Sequence, residues 1–209
     1  MTSVARAQWD LVAWEELDSV HVGVQGPESR ASKAPVPADT EFVGVRFAVG
    51  TFLTAVPVPS VVDGFVDLPL RGRIFQLEGR SLRPPGFDDA EDLVDFLVRE
   101  GLLLDAATSA SAGMSERTRQ RRFRAATGLS QRTVRQIERA HDAATRIQDG
   151  EALVDVAHET GYFDQPHLSR SLRHFIGWSA TQLAGAPRGP QETESPLSLL
   201  YKTPGPDGR

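Results

Sequence analysis

Residues Ser115 to Ser130 recur 49 positions later as Asp164 to Ser179, and no other feature restricts the fold of this chain as much. The two copies read SERTRQRRFRAATGLS and DQPHLSRSLRHFIGWS. Each opens with a residue that caps helices, Ser115 or Asp164. Arg121 then matches Arg170, Phe123 matches Leu172, Arg124 matches Arg173, Gly128 matches Gly177 and Ser130 matches Ser179. A hydroxyl or carboxylate at the front accepts a free backbone N–H, and a glycine behind adopts the left-handed closing conformation without penalty. One helix per copy is predicted.

At 100° per residue, Arg117, Gln120, Arg121 and Arg124 share one face of the first helix, while Phe123 and Ala126 lie on the other. Arg119 matches Leu168 of the second copy and lies four residues before Phe123, which puts it on the apolar side. An arginine there either bends its stem along the core with its guanidinium in water or leaves a charge poorly solvated, and Arg119→Leu is expected to be stabilising by about 1 kcal/mol or more. In the second helix Leu168, Leu172 and Phe175 form the apolar stripe, with His167, Arg170, Arg173 and His174 outward and Pro166 in the first turn. A short helix at about Ala152 to His158, with Leu153, Val156 and Ala157 inward, precedes it and ends at Gly161. Helix, glycine turn and basic amphipathic helix make a helix-turn-helix. Between the copies, Val134, Ile137, Ala140, Ala144 and Ile147 keep helical spacing from Ser130 to Asp149-Gly150. About 18 residues at ~1.5 Å each make a rod of roughly 27 Å, near the ~34 Å repeat of B-DNA, long enough to carry two reading heads.

The net charge of −5 points away from nucleic acid, but its distribution reverses that inference. Residues 1–114 hold 9 Lys/Arg against 17 Asp/Glu, whereas 115–180 hold 11 against 8. Within 115–146 nine arginines and no lysine face only Glu116, Glu138 and Asp142, a local charge of +6. A dense arginine cluster on a capped helix favours DNA contact over a merely solvated face.

The N-terminal half reads differently. Trp9 to Ala13, Val20 to Val24 and Phe42 to Phe47 are predicted strands, punctuated by Gly26-Pro27, Pro35, Pro37 and Gly50. A closing helix is predicted from Asp88 to Leu104, capped by Asp88 or Asp89, with Leu93, Phe96 and Leu97 on its face and Gly101 near its end. The expected fold class is α+β: a small β-rich domain with a closing helix over 1–104, an all-α double helix-turn-helix domain over 105–185, and a mostly flexible tail over 186–209 in which Leu197 to Tyr201 is a docking candidate. Ala106 to Ala112 reads equally as linker or weak helix.

Asp155 to Ser179 (DVAHETGYFDQPHLSRSLRHFIGWS) and Gly113 to Gly128 (GMSERTRQRRFRAATG) resemble the second and first helix-turn-helix units of AraC/XylS transcription regulators. WDLV from Trp9, Gly26-Pro27, VGVRF from Val43 and DFLVREGLL from Asp95 are similar to a reduced sensor-like domain of one subgroup, and the region also resembles half of a cupin-like barrel. The resemblance implies base or phosphate contacts by Arg117, Gln120 and Arg121 in the first helix and by Gln165, His167 and Arg170 in the second. With the remaining outward residues, the candidate DNA-binding set is Arg117, Gln120, Arg121, Arg124, Gln165, His167, Ser169, Arg170 and Arg173. The implied partner is double-stranded DNA. RNA polymerase and a small-molecule effector at the N-terminal domain are further candidates.

The alternative class is a ligand-sensing or protein-interaction module whose DNA heads have decayed. With no cysteine, a disulfide framework or thiolate metal site is excluded. His158, His167 and His174 lack partners at ligand spacing, so no metal is expected, and His141 reads as a helix-surface residue. Asp88, Asp89, Glu91, Asp92 and Asp95 complement a helix dipole rather than forming a catalytic pair. Trp9, Trp14, Phe42, Phe47 and Phe52 suit a small β core better than an effector pocket. No catalytic triad order or phosphate-cradling loop occurs, so neither an enzyme nor a cofactor is expected. No secretory leader or 18-residue apolar span is read, and a cytoplasmic protein without membrane contact is expected.

Overall fold

Alternating apolar residues become strands and the capped basic segments become helices in the computed structural model, which describes residues 2–33, 40, 42–86, 88–105, 115–185, 193–194 and 198–203. The first elements are β1 (Thr2–Ser3), β2 (Trp9–Glu16), β3 (Ser19–Gln25), β4 (Ser32–Lys33), β5 (Phe42–Phe47) and β6 (Thr51–Leu53). A 3-10 turn at Val58–Val61 leads to β7 (Phe65–Asp67), β8 (Leu70–Arg71), β9 (Ile74–Leu77), β10 (Arg80–Leu82), α1 (Ala90–Arg99) and β11 (Leu103–Asp105). Then come α2 (Glu116–Thr127), α3 (Gln131–Gln148), α4 (Leu153–Glu159), α5 (Gln165–Phe175) and α6 (Ala180–Ala184), followed by β12 (Thr193–Glu194) and β13 (Ser198–Thr203). The class is α+β, with antiparallel sheets before the helical region. The chain forms two compact units: Met1–Ala7, Glu28–Pro35 and Gln131–Gln191 make one, and Gln8–Pro27, Val36–Ser130 and Glu192–Arg209 the other.

The second, β-rich unit is organised by a sheet of order β12-β13-β5-β2-β3-β7. All three expected strands are present, and the first two run on into a hairpin, Trp9–Glu16 against Ser19–Gln25. Leu17 and Asp18 close it with φ of 47° and 63°, the left-handed backbone of the tight turn that matches strand twist. Gly26 is forced by contact: a Cβ there would lie 1.7 Å from the Val61 carbonyl oxygen. The aromatic residues divide. Trp9 and Phe47 are fully buried and stacked at 4.1 Å, and the Trp9 indole N–H donates to the Thr51 carbonyl at 2.8 Å. Trp14, Phe42 and Phe52 are only half-buried. Ser198–Tyr201 lie in β13, paired along β5.

The closing helix is shorter than expected. Gly101, at φ 67°, ends it, and Leu103–Asp105 leave as β11 to pair with β6. Leu93, Val94 and Leu97 are buried as an amphipathic stripe demands. The Asp89 carboxylate does not cap α1; it accepts from the Gly86 N–H at 2.7 Å and tightens the approach to the helix instead.

In the other unit α3 is the spine. Val134, Ile137, Ala140, Ala144 and Ile147 are all buried, joined by Ala143, and α4, α5 and α6 pack on α3. Two N-terminal segments belong to this unit, which the strand pattern did not foretell. Strands β1 and β4 pair, and the buried Glu28 carboxylate accepts from Ser3 Oγ at 2.6 Å and faces Arg6 at 3.5 Å. The Ala5 N–H donates to the Phe175 carbonyl at 2.7 Å and the Ala31 N–H to the His174 carbonyl at 2.8 Å. Carbonyls in the last turn of a helix have no internal donor, so these two segments satisfy the end of α5. His141, expected on a free surface, is half-buried and its Nε2–H donates to the Ala5 carbonyl at 2.6 Å. His141→Ala leaves that carbonyl without its donor, and thermal melts of the full chain should show a loss of about 1–2 kcal/mol. An unchanged melting temperature would mean that the contact contributes nothing to holding the N-terminal segment.

Candidate nucleic-acid interface

Local chemistry sets up each capped basic helix as the repeat predicts. Ser115 caps α2 by accepting from the Thr118 N–H at 3.3 Å, and Gly128 closes it at φ 72°. A side chain at Gly128 would meet Val62 and Pro59 as well as strain the backbone. The Thr127 hydroxyl, the one fully buried side chain of α2, donates to the Phe123 carbonyl at 2.9 Å and locks the last turn. Helix α2 lies against the 3-10 turn at Val58–Val61 and against β6 within the β-rich unit. Its outward residues Arg117, Gln120, Arg121 and Arg124 are all exposed, as expected. Gln120 is tied to Glu116 at 3.1 Å, whereas Arg117, Arg121 and Arg124 make no ion pair among the described residues.

Arg119 differs from its repeat partner. Leu168 is buried, but the Arg119 side chain is 58% exposed and forms an ion pair with Glu116 three residues before it. The guanidinium reaches water and pairs with Glu116, and an exposed pair is worth little. The segment before Ser115, Ala106 to Met114, lies outside the described residues.

Helix α5 is held more firmly. Asp164 caps it by accepting from the His167 N–H at 2.6 Å, Pro166 lies in the first turn, and Gly177 follows at φ 80°. Leu168, Leu172 and Phe175 are buried, with Ser171 between them. Gln165, Arg170, Arg173 and His174 are exposed, and His167 and Ser169 are half-exposed. Arg170 and Arg173 make no ion pair among the described residues. Before α5 comes α4, where Val156 and Ala157 face inward as expected but Leu153 is 36% exposed.

The turn from α4 to α5 contains a positioning residue that sequence reasoning did not single out. Tyr162 is buried, its hydroxyl bonds Ser171 Oγ at 2.8 Å, and its ring meets the His167 ring edge-on at 5.1 Å. Arg139 of α3 lies 4.3 Å over that ring and donates to the Gly161 carbonyl at 3.2 Å. An aromatic after the turn glycine was the available signal. These contacts tie the turn to α3 and set the start of α5.

Along α3 and the first turns after α4, an open groove of about 850 Å³ is lined by Arg132, Arg135, Gln136, Arg139 and His167, together with Glu138, Asp142, Glu159 and Thr160. Arg146 bonds Glu159 and pairs with Asp142 at 3.2 Å; the Glu159 bond, then the Asp142 bond, holds its guanidinium above the ordinary arginine range. Two of the groove's three carboxylates are thereby neutralised. The α2 and α5 sets lie in separate units, Arg117, Gln120, Arg121 and Arg124 in the β-rich unit and Gln165, His167, Ser169, Arg170 and Arg173 in the unit built on α3. Among the described residues no His/Asp/Glu group capable of holding a metal occurs, and no helix is long and apolar enough to cross a membrane.

Residues 108–185 match the family described as a helix-turn-helix domain, which spans α2 to α6. No curated protein and no solved structure matches the chain. The matched domain is of the AraC type, with its capped basic helices α2 and α5 at the positions the internal repeat assigns. The match over residues 108–185, similar to the AraC-type helix-turn-helix, supports a DNA-binding transcription regulator.

Proposed function

We propose that the protein binds duplex DNA sequence-specifically, with α2 and α5 entering successive major-groove segments. The observation that carries this reading is the pair of capped helices whose outward arginines, Arg117, Arg121 and Arg124 on one and Arg170 and Arg173 on the other, have no ion-pair partner among the described residues. Arginine presents a planar fork that matches the acceptor edge of guanine, so Arg117 and Arg121 are assigned to one groove segment and Arg170 to the next. Gln120, Arg124, Gln165, His167, Ser169 and Arg173 complete the contact set, the phosphate contacts positioning and the base contacts specifying. DNA contact is assigned to residues 105–185 and sensing to residues within 1–104, with 186–209 as a tail. A cavity of about 570 Å³ lined by Ala13, Trp14, Val20, Val43 and the Glu15–Arg73 pair is the candidate effector site, a size suited to a small molecule. RNA polymerase is the protein partner this reading implies, and the cytoplasm its place of action.

Selection of bound fragments from a genomic library identifies the preferred duplex. On that duplex Arg121→Ala and Arg170→Ala in the full chain should each weaken binding by ~1–3 kcal/mol and relax preference in different halves, one DNA turn apart. Uniform weakening on every sequence would reduce both residues to phosphate contacts. A wild-type chain that binds no duplex would favour the decayed-domain alternative.

A further inference from the structure

The groove along α3 contains a charge arrangement that the stability of the helix does not explain. Arg132 lies in the first turn of α3 and Arg135 in the next, with no acidic residue in the first turn. The N-terminal end of a helix already carries a partial positive charge, so cations there are unfavourable and an anion is favoured. Arg132 and Arg135 make no ion pair among the described residues. Asp142 and Glu159, which also line the groove, are committed to Arg146, which leaves Glu138 as the carboxylate nearest the two arginines in sequence. Arg139 is occupied by the Gly161 carbonyl and the Tyr162 ring and acts as a wall.

The same groove is lined by His167, in the first turn of α5. We infer that Arg132 and Arg135, with His167 in the same groove, form a seat for a DNA phosphodiester beside the start of α5, a contact that sets the depth and angle of that helix without reading sequence. Spacing of three residues places the two arginine forks on one helical face, and a guanidinium fork matches two phosphate oxygens. Gln136, one turn after Arg132, adds a neutral donor. Glu138 opposes the anion and limits the seat to a ligand that other contacts already hold, which suits a backbone phosphate of a docked duplex better than a free anion. The inference rests on the DNA-binding reading above.

The test uses the full chain with Arg132→Ala/Arg135→Ala, the charge-conserving Arg132→Lys/Arg135→Lys, and Arg170→Ala. Both arginines at the seat are exposed, so melting curves of the variants should match the parent. The alanine pair should weaken binding to the selected duplex and to a scrambled duplex by the same factor, about 10-fold or more, and lower the magnitude of the slope of log affinity against log salt by about 2. The lysine pair should restore the slope, while Arg170→Ala should act on the selected duplex alone. An unchanged slope in the alanine pair, or a loss confined to the selected duplex, overturns the seat while leaving DNA binding itself intact. Calorimetric binding of inorganic pyrophosphate that the alanine pair abolishes, with DNA affinity unchanged, would also overturn it and make the groove a small-anion site. Absence of duplex binding by the parent chain would instead strike the DNA reading beneath it.

Discussion

Raising monovalent salt from about 50 to 200 mM should weaken binding of the full chain to duplex DNA by on the order of 10³-fold. The expectation follows from the local charge rather than the total. A chain of net −5 ruled by its sum would be repelled from DNA, but salt at these concentrations screens exposed charges beyond roughly 7–14 Å. What a phosphate meets is then the +6 stretch 115–146 and the arginines of α5. Six or more phosphates neutralised by these side chains release enough counterions for the stated loss. A filter-binding or anisotropy titration at several salt concentrations measures it. A log–log slope shallower than about −2 would show that these arginines do not meet the backbone as a group.

Leu172→Ala is expected to have the largest effect on stability, about 2–5 kcal/mol. Leu172 has no solvent exposure, and Leu168, one turn before it, is likewise buried; together they form the stripe by which α5 is seated in its unit. Truncation leaves a cavity at the centre of a small helical unit whose neighbours Tyr162 and Ser171 are fixed by their own hydrogen bond. Because a whole domain is stable by only ~5–15 kcal/mol, the melting transition of this unit should fall by roughly 10 °C or more. DNA affinity should fall with it at temperatures where the parent is fully folded. Arg173→Ala, one residue on but outward, should leave the melting curve unchanged. Identical melts for the two variants would show that this stripe does not anchor α5.

The features legible in the sequence were those whose cause is local. Apolar spacing marks the buried face of α3 at Val134, Ile137, Ala140, Ala144 and Ile147, because a helix repeats every 3.6 residues wherever it lies. Ser115, Asp164, Gly128 and Gly177 mark helix ends, because a cap involves atoms within a few residues of each other. The exposure of the candidate contact residues follows from the same periodicity. Arg119 shows where the repeat misleads: alignment with Leu168 predicts an inward face, but a long stem and a Glu one turn back let the arginine turn outward.

Other features depend on atoms far apart in the chain. Nothing in the side chains of residues 1–7 or 28–35 announces that the Ala5 and Ala31 backbone N–H groups will satisfy the end of α5, since any residue but proline carries that donor. The role of His141 is invisible for the same reason, because its acceptor is a carbonyl 136 residues away. Gly26 reads as a turn glycine, yet its necessity comes from Val61. The division of the aromatics, with Trp9 and Phe47 in the core and Trp14 beside a cavity, depends on which strands flank β2. Periodicity, caps and charge thus specified the helices and the class of partner, since each acts within one or two turns of chain. Packing specified which buried groups meet and which arginines make no ion pair among the described residues, because those depend on the unit as a whole.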